Sequence, residues 1–285
     1  FMKKILIIGA SGFVGRHLLN NLNKNRFEII IPNKTFDLID KKAWNNLQEC
    51  ETLIHLAAKT SVQESWNEPQ NYINNNTLIT TNALEYCRRY KSKLVLLSSY
   101  LYGNSKTLPI KENFTTQAIN PYALSKLISE DISRFYKKYY SLDIIILRVF
   151  NIYGLYQPKH FLISKVIEKV KNSKSIIVNS LSPKRDYLYI EDLISAIIKS
   201  IEYKGKQDLF NIGYGESHSV EEVINIIQKI YKTNLPIINK RINRRTEIRN
   251  TIADRHLSKL ELGWEPIFNL EKGLMEMIKT NVRET

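Results

Sequence analysis

The apolar run Ile5-Leu6-Ile7-Ile8 is followed at once by glycines at 9, 12 and 15, and this junction constrains the fold more than any other part of the 285-residue chain. The run is short and β-branched, so it reads as a buried strand. The segment Arg16-His17-Leu18-Leu19-Asn20-Asn21-Leu22 has helical spacing. The chain must therefore pass from strand to helix through a glycine-rich turn. Such a turn lets backbone N–H groups approach a pyrophosphate at a helix N-terminus. The spacing, Gly9-Ala10-Ser11-Gly12-Phe13-Val14-Gly15, is GxxGxxG and not the commoner GxGxxG.

Alternation continues beyond the turn. Strands are predicted at 4–8, 27–31, 52–56, 94–98 and 143–148, with helices at 13–24, 40–49, 71–91 and 121–140. This pattern predicts an α/β fold with a Rossmann-type, doubly wound parallel sheet. The second half predicts helices at 159–172, 191–203, 219–232 and 270–280 and strands at 176–178, 209–212 and 236–238. The expected division is a dinucleotide-binding domain over 2–154, to which 186–212 returns. A smaller α/β substrate lobe would comprise 155–185 and 213–285, over the strand ends. Residues 103–119 are turn-rich, as an active-site loop would be.

The apolar fraction of 43% is ordinary for a globular protein. No run approaches the roughly 18 apolar residues of a membrane span, so no membrane partner is expected. The net charge of +14 raises the question of nucleic acid. The lysines are scattered along helices and enriched together with Ile and Asn, which fits an AT-rich genome. The densest basic cluster, Lys240, Arg241, Arg244, Arg245 and Arg249, suits an anionic small molecule as well as a polynucleotide. Nucleic acid is therefore not the expected partner. Phe1 ahead of Met2 reads as a foreign addition, and Met2-Lys3-Lys4 leads straight into a strand and not into a leader peptide. Cys50 and Cys87 make no disulfide framework and read as buried free thiols. A cytoplasmic location is the expectation.

Tyr122 and Lys126 lie four residues apart in a helical stretch, so they share one face. A nearby ammonium favours the phenolate and would lower the tyrosine pKa from about 10. A tyrosine so tuned can exchange a proton with a sugar hydroxyl or carbonyl. Upstream, the apolar strand Leu94-Val95-Leu96-Leu97 ends in Ser98-Ser99-Tyr100. A serine at the C-terminal end of such a strand points into the ligand crevice.

With these residues the chain resembles the extended short-chain dehydrogenase/reductases, in the nucleotide-sugar epimerase/dehydratase branch. The resemblance spans almost the whole length. It runs from the glycine loop through Leu53-Ile54-His55-Leu56-Ala57-Ala58 and the helix bearing Asn76, Thr80, Leu84 and Glu85, where Ile79 replaces the family's glycine. It continues through Leu147-Arg148-Val149-Phe150-Asn151-Ile152-Tyr153-Gly154 and Arg185-Asp186-Tyr187-Leu188-Tyr189-Ile190-Glu191-Asp192. It ends in Asn211-Ile212-Gly213, Ala253-Asp254 and Leu262-Gly263-Trp264. The resemblance implies Tyr122 as acid/base, Lys126 as its tuner and as the holder of the nicotinamide ribose. It implies Ser98, counted from Gly103, as the catalytic hydroxyl, in preference to Ser99. It implies cofactor contacts from Gly9, Ser11, Gly12, Phe13, Val14, Gly15, Leu56, Ala57, Ala58, Lys59, Asn76 and Phe150. Substrate contacts would come from Ser99, Tyr100, Asn151, Arg185 and Arg244. An arginine fork suits phosphate oxygens. No metal is implied, and a homodimer through the helices at 71–91 and 121–140 is.

Departures from the pattern refine the expectation. The acidic residue that binds the adenosine ribose falls at Asn33, followed by Lys34, which leans toward NADP(H) over NAD(H). The short segment before Asp37 and Leu38, the pair expected at the adenine, is similar to that of the 4-keto-sugar-nucleotide reductases. Ser99 and Tyr100 stand where 4,6-dehydratases carry Asp-Glu, which argues against elimination. His160 is a weaker candidate acid. The expected activity is reduction of a 4-keto, 6-deoxy nucleotide-diphosphate sugar, in deoxysugar biosynthesis. A 4-epimerase retaining NAD is the alternative. A catalytically silent cofactor-sensing or RNA-binding relative is the remote one, because such proteins lose the tyrosine or lysine kept here.

Overall fold

A six-stranded parallel sheet in the order β2-β1-β3-β4-β5-β9 forms the centre of the computed structural model. The structure describes residues 2–23, 25–242 and 246–283, the side chains of 280–283 excepted. The strands are β1 (Lys3–Ile8), β2 (Phe27–Ile30), β3 (Thr52–His55), β4 (Lys93–Ser99), β5 (Ile144–Val149) and β9 (Leu209–Ile212). Their alternate side chains feed two cores, which is why the strands read as continuous apolar runs. Leu6, Ile8, Leu53, Leu94, Leu96, Ile144 and Ile146 pack under Ile79, Ala83, Leu84 and Cys87 of α3 (Pro69–Tyr90). Ile5, Ile7, Ile54, Val95, Ile145 and Leu147 face Leu18 of α1 (Phe13–Asn21) and Ile194, Ile197 and Ile201 of α6 (Ile190–Glu202). Helix α4 (Pro121–Tyr140) packs along α3.

From β1 the chain goes to β2 on one side and to β3 on the other. This divergence makes a crevice at the carboxyl edge, directly over the glycine turn, where open α/β sheets bind ligands. The helix expected at 40–49 does not form. Only a 3-10 turn, Ala43–Asn46, is present between β2 and β3. The segment has a single deep anchor, Trp44, whose Nε1 donates to the Leu38 carbonyl. Asp40 draws its side chain back onto the Lys42 N–H, and such local bonds favour turns over helix.

The remaining elements form smaller sheets and their covering helices. Strand β8 (Lys184–Tyr189) lies between β6 (Asn151–Tyr153) and β10 (Ser217–Ser219), and β7 (Ile176–Val178) pairs with β11 (Ile237–Asn239). Helices α5 (Leu162–Asn172), α7 (Val220–Tyr231) and α9 (Leu270–Arg283) cover them. Strands β6, β8 and β10 and helices α2 (Val62–Asn67) and α8 (His256–Leu262) are absent from the sequence expectation. They are short, and two buried carboxylates hold several of their joins. Asp186 accepts the N–H groups of Tyr214, Gly215 and Ala253 at 2.7–2.9 Å. Asp192 accepts those of Ile267 and Phe268, and its carbonyl takes the Trp264 indole.

Candidate active site

The glycine turn is shaped by what it leaves out. Gly9 has φ +84, and a Cβ there would lie 2.6 Å from the Ala57 nitrogen. A Cβ on Gly15 would lie 2.5 Å from the Gly9 and Ala10 carbonyl oxygens, so α1 could not approach β1. At Gly12 the only close neighbour would be the Gly9 oxygen at 3.3 Å, leaving the outer side of the turn open. Gly12 is the N-cap of α1 without a side-chain cap, and the first turn carries no acid. The helix therefore presents N–H donors and the positive end of its dipole to an anion. The fit to a dinucleotide pyrophosphate rests on this cradle.

The neighbouring loop, Leu56 to Lys59, is fixed from behind. Asn76, buried on α3, accepts the Lys59 N–H at 2.9 Å and donates to the Lys59 carbonyl and to Ser125. Its amide is thus committed to holding the loop, in place of the direct cofactor contact implied by the resemblance. Asn33, Lys34 and Asp37 stand exposed after β2, Asn33 accepting from Thr35 and Asp37 closing on the Ile39 N–H. Leu38 is half-buried, its carbonyl taken by Trp44 and Asn82.

Helix α4 begins at Asn120, whose side chain caps the Ala123 N–H, with Pro121 in the first turn. This start sets Tyr122 and Lys126 against the end of β4. Lys126 Nζ donates to the Leu97 carbonyl at 2.5 Å. Burial lowers the Lys126 pKa to about 8, against the opposing charge of Glu130. Desolvation pushes the Tyr122 phenol up to about 12, with the Ser99 hydroxyl acting the other way by hydrogen bonding to the phenolate. The expected depression of the tyrosine by Lys126 is therefore not found: desolvation dominates, Tyr100 and Tyr72 push the same way through their charge, and only Ser99 opposes.

Ser98 and Ser99 point to opposite faces, as successive strand residues must. Ser98 is buried and donates to Glu130 Oε1 at 2.6 Å. Its hydroxyl is thus engaged by Glu130, and Ser99, on the opposite face, is the serine whose hydrogen bonding acts on Tyr122. Tyr100 stacks on Phe150, ring centroids 5.5 Å apart and 27° between planes. Asn151 follows, its amide nitrogen buried and without a partner among the described residues.

A cleft of about 300 Å³ lies beside this group, lined by Lys59, Thr60, Ser61, Glu64, Tyr72 and His160 among others. Farther out, Arg185 is held by Glu247 at 2.5 Å and by the Ile248 carbonyl. Both its terminal nitrogens are engaged by protein groups, and Arg244 lies outside the described residues.

Sequence reasoning missed Glu130 and Arg148. Both are almost fully buried and paired at 2.7 Å. A signal was available: an arginine inside an apolar strand demands a buried opposite charge, and Glu130 lies one helical turn beyond Lys126.

The profile of the NAD dependent epimerase/dehydratase family matches residues 5–213. The chain is 32% identical to a putative UDP-glucose 4-epimerase of Methanocaldococcus jannaschii, covering 96% of this chain and 97% of that one. It is 30% identical to the dTDP-4-dehydro-6-deoxyglucose reductase of Escherichia coli, over 97% and 96% of the two chains. Among solved structures it superposes with a TM-score of 0.93 on RMD from Pseudomonas aeruginosa complexed with NADPH, at 23% identity over the whole of both chains.

Proposed function

Because the chain belongs to the NAD-dependent epimerase/dehydratase family, we propose that it reduces the 4-keto group of a nucleotide-diphosphate sugar, a 6-deoxy sugar by preference, using NAD(P)H. The observation that supports this reading is the bond from Lys126 Nζ to the Leu97 carbonyl, which sets the first turns of α4, with Tyr122 and Lys126, against the end of β4 that leads into Ser98 and Ser99. Bound NAD(P)H supplies the hydride. Tyr122 supplies the proton: a phenol near 12 is fully protonated at neutral pH, as a donor must be. Ser99 donates its one hydroxyl proton to the phenolate left behind. Lys126 holds the ribose side, and Gly9 to Gly15 hold the pyrophosphate.

Ser99 and Tyr100 stand where a dehydratase carries its two acids, which suits reduction and not acid-driven elimination. Asn33 and exposed Lys34 favour a cofactor bearing a 2′-phosphate. Asn151, with an unclaimed amide donor, and Arg185, once freed from Glu247, serve the diphosphate. Leu78, Leu124, Phe135 and Tyr139 are exposed apolar side chains on α3 and α4, and they support a homodimer through these helices. A second reading, a 4-epimerase, is favoured by the full-length match to a putative UDP-glucose 4-epimerase.

The test is a panel of nucleotide sugars with added NADPH. Consumption of NADPH with dTDP-4-keto-6-deoxyglucose or a related 4-keto sugar is expected. Stoichiometric NAD in the purified protein, with interconversion of UDP-glucose and UDP-galactose and no net redox turnover, would replace the reductase by the epimerase.

A further inference from the structure

We propose that Glu130 is the positioning residue of this site: its one buried carboxylate ties the ends of β4 and β5 to α4 and is the counter-charge of the Lys126 ammonium. The inference rests on the reading of Tyr122, Ser99 and Lys126 given above. Glu130 lies four residues after Lys126, on the same face of α4. Its Oε1 accepts from Ser98 at 2.6 Å. The Arg148 guanidinium spans both oxygens, with Nε 3.0 Å from Oε1 and Nη2 2.7 Å from Oε2. Ser98 and Arg148 are cross-strand partners in the β4–β5 register, so the carboxylate bridges the two strands at one level.

Lys126 grips the residue before. Its bond to the Leu97 carbonyl and the Glu130 bond to Ser98 hold consecutive residues of β4 to a single helix turn. The next residue is Ser99, and its direction toward Tyr122 follows from that double grip. Arg148 extends the frame to β9. Its Nη1 donates to the Tyr102 hydroxyl at 2.8 Å, and Tyr102 donates to Asn211 at 2.7 Å.

The charge matters as well as the bonds. Around Glu130 stand Lys126 and Arg134 on α4 and Arg148 on β5. Around Lys126 stand Glu130 and, on β3, His55, which burial keeps neutral with a pKa of about 3. Burial of Lys126 favours its loss of a proton, and Glu130 opposes that loss. An apolar pair of similar volume would serve stability as well as a buried ion pair does, so the carboxylate is better explained by what it orients.

Two variants separate reach from charge. Glu130→Asp keeps the charge and shortens the reach. Glu130→Gln keeps the reach and removes the charge. With NADPH and dTDP-4-keto-6-deoxyglucose, kcat should fall in both, by roughly a hundredfold for a displacement near 1 Å, with KM for NADPH little changed. Only Glu130→Gln should move the alkaline limb of the pH profile to lower pH, because Lys126 then loses its proton earlier. Ser98→Ala should cost less than Ser99→Ala. An unmoved limb in Glu130→Gln, or equal losses at the two serines, overturns the proposal.

Thermal unfolding against pH gives a readout independent of the substrate. Lys126 has a folded pKa below its unfolded one, so its unfavourable contribution disappears as pH rises from about 8 toward the unfolded value of about 10.4. In Glu130→Gln this rise should begin at lower pH, and the difference should vanish in a Lys126→Met background. An identical pH curve for Glu130→Gln in both backgrounds contradicts the proposal. Absence of turnover by the wild type with every nucleotide sugar would remove the proposed function, and the unfolding series would then decide the role of Glu130 alone.

Discussion

The region of the glycine turn, on the six-stranded sheet, and the region of the short strands, the lobe of the sequence expectation, are stabilised in different ways. Around β1, β3 and α1 the shape comes from backbone approach, and the deciding residues are those without side chains. Gly9 and Gly15 each leave less than 3 Å for a Cβ against main-chain atoms. In the lobe the chain crosses itself in short irregular pieces, and charged side chains satisfy the backbone. Asp186 alone serves three N–H groups from two separate segments. A region built on close approach tolerates no added atom. A region built on buried carboxylates tolerates no lost acceptor and responds to pH.

The largest effect should be at Gly15. Gly15→Ala sets a methyl against two carbonyl oxygens that cannot move without shifting β1, and should cost about 3 kcal/mol or more in urea unfolding. An equal cost from Gly273→Ala would break the comparison, because there the nearest neighbours are the Tyr153 hydroxyl and the Tyr189 ring, side chains that can adjust.

Next is Asp186→Asn, which should cost about 2 kcal/mol, because an amide NH2 replaces one of the two oxygens that accept N–H groups. Burial raises Asp186 to about 6 despite the three N–H groups. The folded pKa lies above the unfolded value, so the stability associated with it is present below about pH 4. That stability is lost as pH rises through about 6. Melting temperature should fall across that window in the wild type and less so in Asp186→Asn.

On the cofactor half, Lys34→Glu should weaken NADPH binding about tenfold, roughly 1.4 kcal/mol, while sparing NADH. Equal binding of the two cofactors by the wild type would remove the argument from Asn33 and Lys34.

The smallest effect should be at the seam between the regions. His17 on α1 bonds Glu191 and the Leu155 carbonyl, each at 2.8 Å. Desolvation lowers its pKa, but these two acceptors outweigh it and the net shift is upward. The contribution is therefore full below the unfolded value near 6.5 and is lost as pH rises through the folded one. His17→Gln should cost about 1 kcal/mol at low pH, fading at high pH.

This contrast also explains what the sequence made legible. The glycine turn, the apolar strands and the Tyr122–Lys126 pair are local patterns, and they predict the parallel sheet and the elements that carry the site. The helix expected at 40–49 fails because Trp44 anchors one turn and little else. Strands β6, β8 and β10 pair across long separations and show no period of their own. The different tasks of Ser98 and Ser99 depend on which face meets Glu130, a tertiary fact. Asn76 and Arg185 occupy motif positions, yet the structure engages both with protein groups, which spacing alone could not show.

The most direct test is the rate of NADPH oxidation in Tyr122→Phe with a 4-keto nucleotide sugar that the wild type turns over. Removing the proton donor while keeping the ring should lower kcat by roughly a hundredfold to ten-thousandfold, with the melting temperature little changed. A Tyr122→Phe enzyme that oxidises NADPH at the wild-type rate would contradict the assignment of Tyr122 as the acid, and with it the function built on that site.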